Sequence, residues 1–137
     1  MTSQTCRRAR HSLSLLHAHF VLVSKYRPAV FTDAILTFAE NTMYGVCAEL
    51  DAELVEHNGW TDHVHMLIGY PPTLPISTLV QRLKGRTAHA VRRGFTSVCV
   101  CVRMRGQLWL PPYFALACDG PPLSIIEQYI DGQAGPL

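Results

Sequence analysis

The sequence is short of several features that would place it in familiar classes. Its five cysteines (Cys6, Cys47, Cys99, Cys101 and Cys118) contain no Cys-x-x-Cys pair, which removes the zinc-ribbon and thioredoxin-like readings. The count is odd, so reduced thiols are expected, and with them a cytoplasmic protein. A long apolar run is also missing. Arg7, Arg8 and Arg10 precede the stretch from Leu13 to Val23 as they would in a signal peptide, but His17 and His19 interrupt it and no small-residue cleavage site follows before Lys25. The stretch is also too short to cross a bilayer, which needs about 20 apolar residues. No membrane partner is therefore expected. Internal repeats and low-complexity segments are absent. With 48% hydrophobic and 16% charged residues, the composition argues against disorder over most of the length.

Charge of one sign is missing from long stretches. Met1 to Arg27 carries five basic residues and no acid; Pro28 to Asp62 carries seven acids and no lysine or arginine. His63 to Cys118 then holds seven basic residues and again no acid. The formal net charge of +2 hides this segregation, which predicts a positive face suited to a polyanion. The plainer alternative is a solvated helix face.

What is present reads as one domain over 1–137, since two would leave each half too small for a core. His17 to Ser24 has strand composition, and Lys25-Tyr26-Arg27-Pro28 ends it. Thr32 or Asp33 caps a helix running to about Leu50, with Ile35, Ala39, Met43, Val46 and Leu50 as its apolar stripe. Ala52 to His57 is a second strand, Asn58-Gly59 gives the hairpin turn signal, and His63 to Tyr70 is a third strand. Ile76, Leu79, Val80, Leu83, Thr87, Ala90 and Val91 mark a second helix. Val98 to Met104 and Tyr113 to Cys118 read as further strands, and Leu123 to Gln133 as a closing helix. The order predicts an α+β, ferredoxin-like or RRM-like split βαβ fold: an antiparallel sheet, helices on one face, and a C-terminal helix carrying Tyr129. Residues 1–12 are expected to be flexible and 121–135 to form a mobile helix.

Two stretches carry chemistry. In Asp62-His63-Val64-His65-Met66, strand alternation puts both imidazoles on one face and sends Val64 and Met66 to the other. Two imidazoles so placed can converge on a divalent ion, although two polar positions on a half-buried strand is an equally good reading of the motif alone. In the closing stretch, Tyr129 and Gln133 are four residues apart and share a helical face. A phenol with an unperturbed pKa near about 10 becomes a nucleophile only with a metal ion or helper base beside it.

Together these stretches resemble the single-tyrosine HUH transposases of small bacterial insertion sequences (the IS200-like transposases). The resemblance spans nearly the whole chain: His19 to Arg27, Thr61 to Ile68, Leu79 to Arg86, Leu108-Trp109, Tyr113-Phe114 and Gln128 to Gln133, in the family's order. It implies His63 and His65 as the metal pair, Gln133 as the third ligand, Tyr129 as the nucleophile, and Mg²⁺ or Mn²⁺ as the ion. It also implies a homodimer in which the tyrosine helix of one subunit completes the histidine site of the other. The implied substrate is single-stranded DNA with hairpins, cut and rejoined through a 5′-phosphotyrosine link. Lys25, Arg27, Arg82, Lys84, Arg86, Arg92 and Arg93 would follow DNA phosphates, with Tyr26 stacking on a base. Leu110, Pro112, Asp119 and Gly132 depart from the family's usual residues. Two rival readings are a non-catalytic nucleic-acid-binding module, such as a decayed or domesticated transposase, and a metal hydrolase acting on a small phosphoester.

Overall fold

The computed structural model describes residues 15–25, 32–60, 62–95 and 108–118. Among them the chain forms β1 (Leu16–Val23), α1 (Asp33–Glu49), β2 (Glu53–Gly59), β3 (His63–Tyr70), α2 (Ile76–Gly94) and β4 (Phe114–Ala117). The strands make one antiparallel sheet in the order β2-β3-β1-β4. The result is the expected α+β arrangement. The anticipated strand Val98 to Met104 and the helix Leu123 to Gln133 lie outside the described residues.

Local sequence explains each element. Thr32 caps α1, its hydroxyl oxygen accepting from the Ile35 N–H at 3.2 Å, which satisfies one of the donors a helix start leaves open. The buried stripe of α1 is Ile35, Ala39, Met43, Val46 and Cys47. Burial pushes the Cys47 thiol up to about 12, so it acts as a small hydrophobe. Helix α2 buries Leu79, Val80, Leu83, Thr87 and Val91. These stripes meet Ala18, Phe20 and Leu22 of β1 and Val64, Met66 and Ile68 of β3 in one core. Full burial of each large side chain here is worth about 1.5–3 kcal/mol.

The hairpin turn differs from expectation. Asn58-Gly59 is not the turn: both residues remain in β2, with Asn58 opposite His65 and Gly59 opposite Val64. The chain reverses after them, where the Trp60 N–H donates to the His63 carbonyl at 2.8 Å. Packing explains the difference. A Cβ on Gly59 would collide with the Leu36 side chain, so this glycine serves close approach of α1 to β2 rather than a tight turn.

Residues 108–110 run beside the end of β1. Lys25 N–H donates to the Leu108 carbonyl and Leu110 N–H to the Val23 carbonyl, both at 2.8 Å. Leu108 and Trp109 are buried in the core, and this short pairing leads the chain into β4. Among the described residues no helix is long and apolar enough to cross a membrane.

Candidate active site

Strand β3 is an inner strand, paired on both sides, and its alternation is sharp. Val64, Met66 and Ile68 are fully buried toward the helices. His63 and His65 stand on the opposite face, across from Val23 and Val21 of β1. A slip of one residue would send both imidazoles into the apolar core, so the buried residues fix where the histidines point.

His63 is held on two sides. Its Nδ1 lies 2.9 Å from Asp62 Oδ1, and its ring stacks on Trp60 with centroids 4.6 Å apart and planes 12° from parallel. A carboxylate beside Nδ1 favours the tautomer protonated there and leaves Nε2 as the acceptor atom, the arrangement usual for metal-binding histidines. His65 is half-buried. Burial holds its pKa below the ordinary value; His19 and His63 push the same way, while Glu56 opposes them. A neutral imidazole is what a metal ion requires.

One contact was not expected. His19 of β1 places Nδ1 3.0 Å from His65 Nε2, with ring centroids 5.1 Å apart. One of these nitrogens must carry the proton, and an ion taking His65 Nε2 has to replace this bond. The signal in the sequence was a pair of histidines two positions apart, His17 and His19, in an otherwise apolar strand, but the partner depends on the pairing register. Asp62 and Trp60 were likewise assigned no role by the sequence.

The residues present fit a divalent ion in part. His63 and His65 place two imidazoles on one rigid strand, one of them carboxylate-oriented, a donor set suited to a first-row divalent metal. Among the described residues no set of three His, Cys, Asp or Glu side chains is grouped to hold an ion. Gln133, the expected third ligand, and Tyr129, the expected nucleophile, lie outside the described residues, as does Arg27.

The basic residues divide. Lys25, Arg82 and Arg93 are exposed, and Arg92 is half-buried. Lys84 turns inward: its Nζ donates to the carbonyls of Leu110 and Pro111 at 2.8 and 2.7 Å and sits 5.7 Å from the Tyr113 ring centre. Burial lowers its pKa. This lysine ties α2 to the segment before β4, and a cleft of about 460 Å³ lies alongside, lined by Gln81, Lys84, Trp109 and Leu110 among others. Arg86 forms a two-pronged pair with Glu49 at 2.8 and 3.0 Å, and its hydrogen bond lowers the Glu49 pKa. Neither cation is unengaged as the sequence pictured it. Position on the outer side of a helix does not show which distant carbonyls or carboxylates lie across from it.

Residues 12–133 match the family model described as "Transposase IS200 like". The chain is 28% identical over 120 residues to the ISDra2 transposase TnpA of Deinococcus radiodurans, covering 86% of this chain and 84% of that one. It is 25% identical over 115 residues to the transposase for insertion sequence element IS200 of Salmonella typhimurium, covering 84% and 74%. Among solved structures it resembles a candidate transposase from Deinococcus radiodurans R1, with a TM-score of 0.78 and 28% identity over 87% of this chain and 91% of that chain. A REP-associated tyrosine transposase bound to a REP hairpin shares the fold, with a TM-score of 0.58 and 12% identity over 87% of this chain and 64% of that chain.

Proposed function

The chain belongs to the IS200-like transposase family, and on that premise we propose that it cuts and rejoins single-stranded DNA through a tyrosine–DNA intermediate. The observation that carries the reading is the pair His63 and His65 on one face of β3, with the His63 Nδ1 anchored by Asp62. A divalent ion, Mg²⁺ or Mn²⁺, held by these imidazoles and by Gln133 would polarise the scissile phosphate and offset its charge.

The protein's own groups supply the rest. The Tyr129 phenolate attacks phosphorus in line, forming the P–O bond to tyrosine while the P–O3′ bond breaks. The departing 3′ oxygen takes up a proton, and the 5′ phosphate stays on Tyr129. Because the phosphodiester is conserved, a later 3′ hydroxyl attacks the same phosphorus, releases the phenol and seals a strand without a nucleotide cofactor. Asp62 favours the His63 tautomer that presents Nε2, and burial lowers the His65 pKa, which favours its neutral form. Lys25, Arg82, Arg92 and Arg93 contact phosphates, so binding weakens with salt and carries little sequence information. Lys84 and Arg86, like Arg92, leave partners they have here to do so. The substrate carries hairpins, consistent with the relative bound to one. The working unit is a homodimer in which Tyr129 and Gln133 of one subunit serve the histidines of the other.

The test uses 5′- and 3′-labelled hairpin DNA with unpaired flanks, Mn²⁺ and a denaturing gel. A covalent adduct on the 5′ end of the released strand is expected, absent in Tyr129→Phe and His63→Ala. Tight DNA binding with no adduct under any condition would favour a binding module. Turnover of a small phosphoester without an adduct would favour a hydrolase.

A further inference from the structure

We propose that Trp60 is a base-stacking residue of the DNA site, taking one unpaired nucleobase of the substrate on the outer face of its indole beside His63. The proposal rests on the reading above and adds to it a stacking contact beside His63, separate from the one expected of Tyr26.

Trp60 is 47% exposed, one of few large hydrophobic side chains left open to water among the described residues. Among the described residues it belongs to neither apolar cluster, so core packing there does not account for it. One face of the indole is already occupied by the nearly parallel His63 ring at 4.6 Å. His63 itself is only 9% exposed, so the water-accessible surface of the pair belongs mainly to the indole.

The platform is also held still. The Trp60 N–H is bonded to the His63 carbonyl at 2.8 Å, Gly59 before it is pressed under Leu36, and Asp62 holds His63. An aromatic plane fixed in advance loses little freedom when a flat ligand lands on it. A phosphate at His63 and His65 brings the base of an adjoining nucleotide to this indole, completing an imidazole–indole–base stack. Every base offers a π face, so the contact would be tolerant of sequence and would favour unpaired over paired DNA. Tyr44, also exposed, lies on α1 and stacks on no imidazole among the described residues.

The experiment is a coupling cycle on the full chain, without metal, between Trp60→Ala and a single abasic nucleotide walked along the unpaired flank of hairpin DNA. Trp60→Ala should weaken binding roughly 5- to 100-fold, the range of one base–aromatic stack. Trp60→Phe should keep most of the affinity and Trp60→Leu should not. At one abasic position the two losses should fail to multiply. Mn²⁺ affinity measured by calorimetry should be unchanged in Trp60→Phe. Losses that multiply at every position would overturn the proposal, as would a variant that loses Mn²⁺ affinity while binding DNA normally; Trp60 would then only support His63. Coupling without an adduct in the wild-type protein would keep the stack and refute the chemistry. An adduct without coupling would do the reverse.

Discussion

The two faces of the sheet are built from the same strands and do opposite work. On β1, Ala18, Phe20 and Leu22 point to the helices, while His17, His19, Val21 and Val23 point away. On β3, Val64, Met66 and Ile68 point to the helices, while His63 and His65 point away. The helix-covered face is closed and mostly apolar. The other carries imidazoles beside a small apolar cluster in which Val21 and Val23 pack with Leu110, Phe114 and Leu116. The difference teaches that the core and the proposed metal site are separated by single-residue alternation: the core face positions the imidazole face without sharing side chains with it.

Mutations of adjacent residues test that separation most directly. Phe20→Ala should cost about 3–5 kcal/mol in chemical denaturation. His19→Ala, one position away on the other face, should cost about 1 kcal/mol or less, the net worth of an ordinary hydrogen bond. Similar losses for the two would mean that the faces are not independent. A smaller effect belongs to the imidazole face alone. Asp62→Asn should lower Mn²⁺ affinity about 10- to 100-fold, as loss of a histidine's carboxylate partner usually does, with the thermal midpoint nearly unmoved. A large fall in midpoint would show that Asp62 is structural.

The smallest effect sharpens the picture of the covered face. His57 lies 3.7 Å from Glu40, and its Nε2 is buried without a hydrogen-bond partner among the described residues. Burial lowers its pKa, with Glu40 opposing. A histidine more easily protonated in the unfolded chain stabilises the fold fully above its ordinary value of about 6.5, and that contribution fades as pH falls. Stability should therefore decline from about pH 7 to about pH 5. The slope should flatten in His57→Leu; an unchanged slope would assign the decline to another group.

Much of the frame was legible because burial imposes periods of two and 3.6 on β1, β3, α1 and α2. The stripe Leu79, Val80, Leu83, Thr87 and Val91 could be read directly from its spacing. What escaped depends on elements far apart in sequence. The His19–His65 bond lies on a diagonal across two strands, so it follows from register and not from either strand's pattern. Lys84 looked like a solvent-facing cation because the carbonyls that receive it come from residues 110 and 111. Asn58-Gly59 has the composition of a turn, and only the Leu36 side chain above Gly59 shows why it stays in the strand.

The pairing of β2 with β3 shifts between Leu54 and Glu56, leaving Val55 as an extra residue on an edge strand. Leu54 is buried before the shift, whereas Glu56 after it faces away beside His65 and contributes to its electrostatics. Removing Val55 would leave a regular ladder with every downstream partner in place. The same deletion inside β3 would exchange its two faces and turn His65 inward. In the history of such a gene, gains and losses of one codon should therefore accumulate at the margin of the sheet and be purged from its middle.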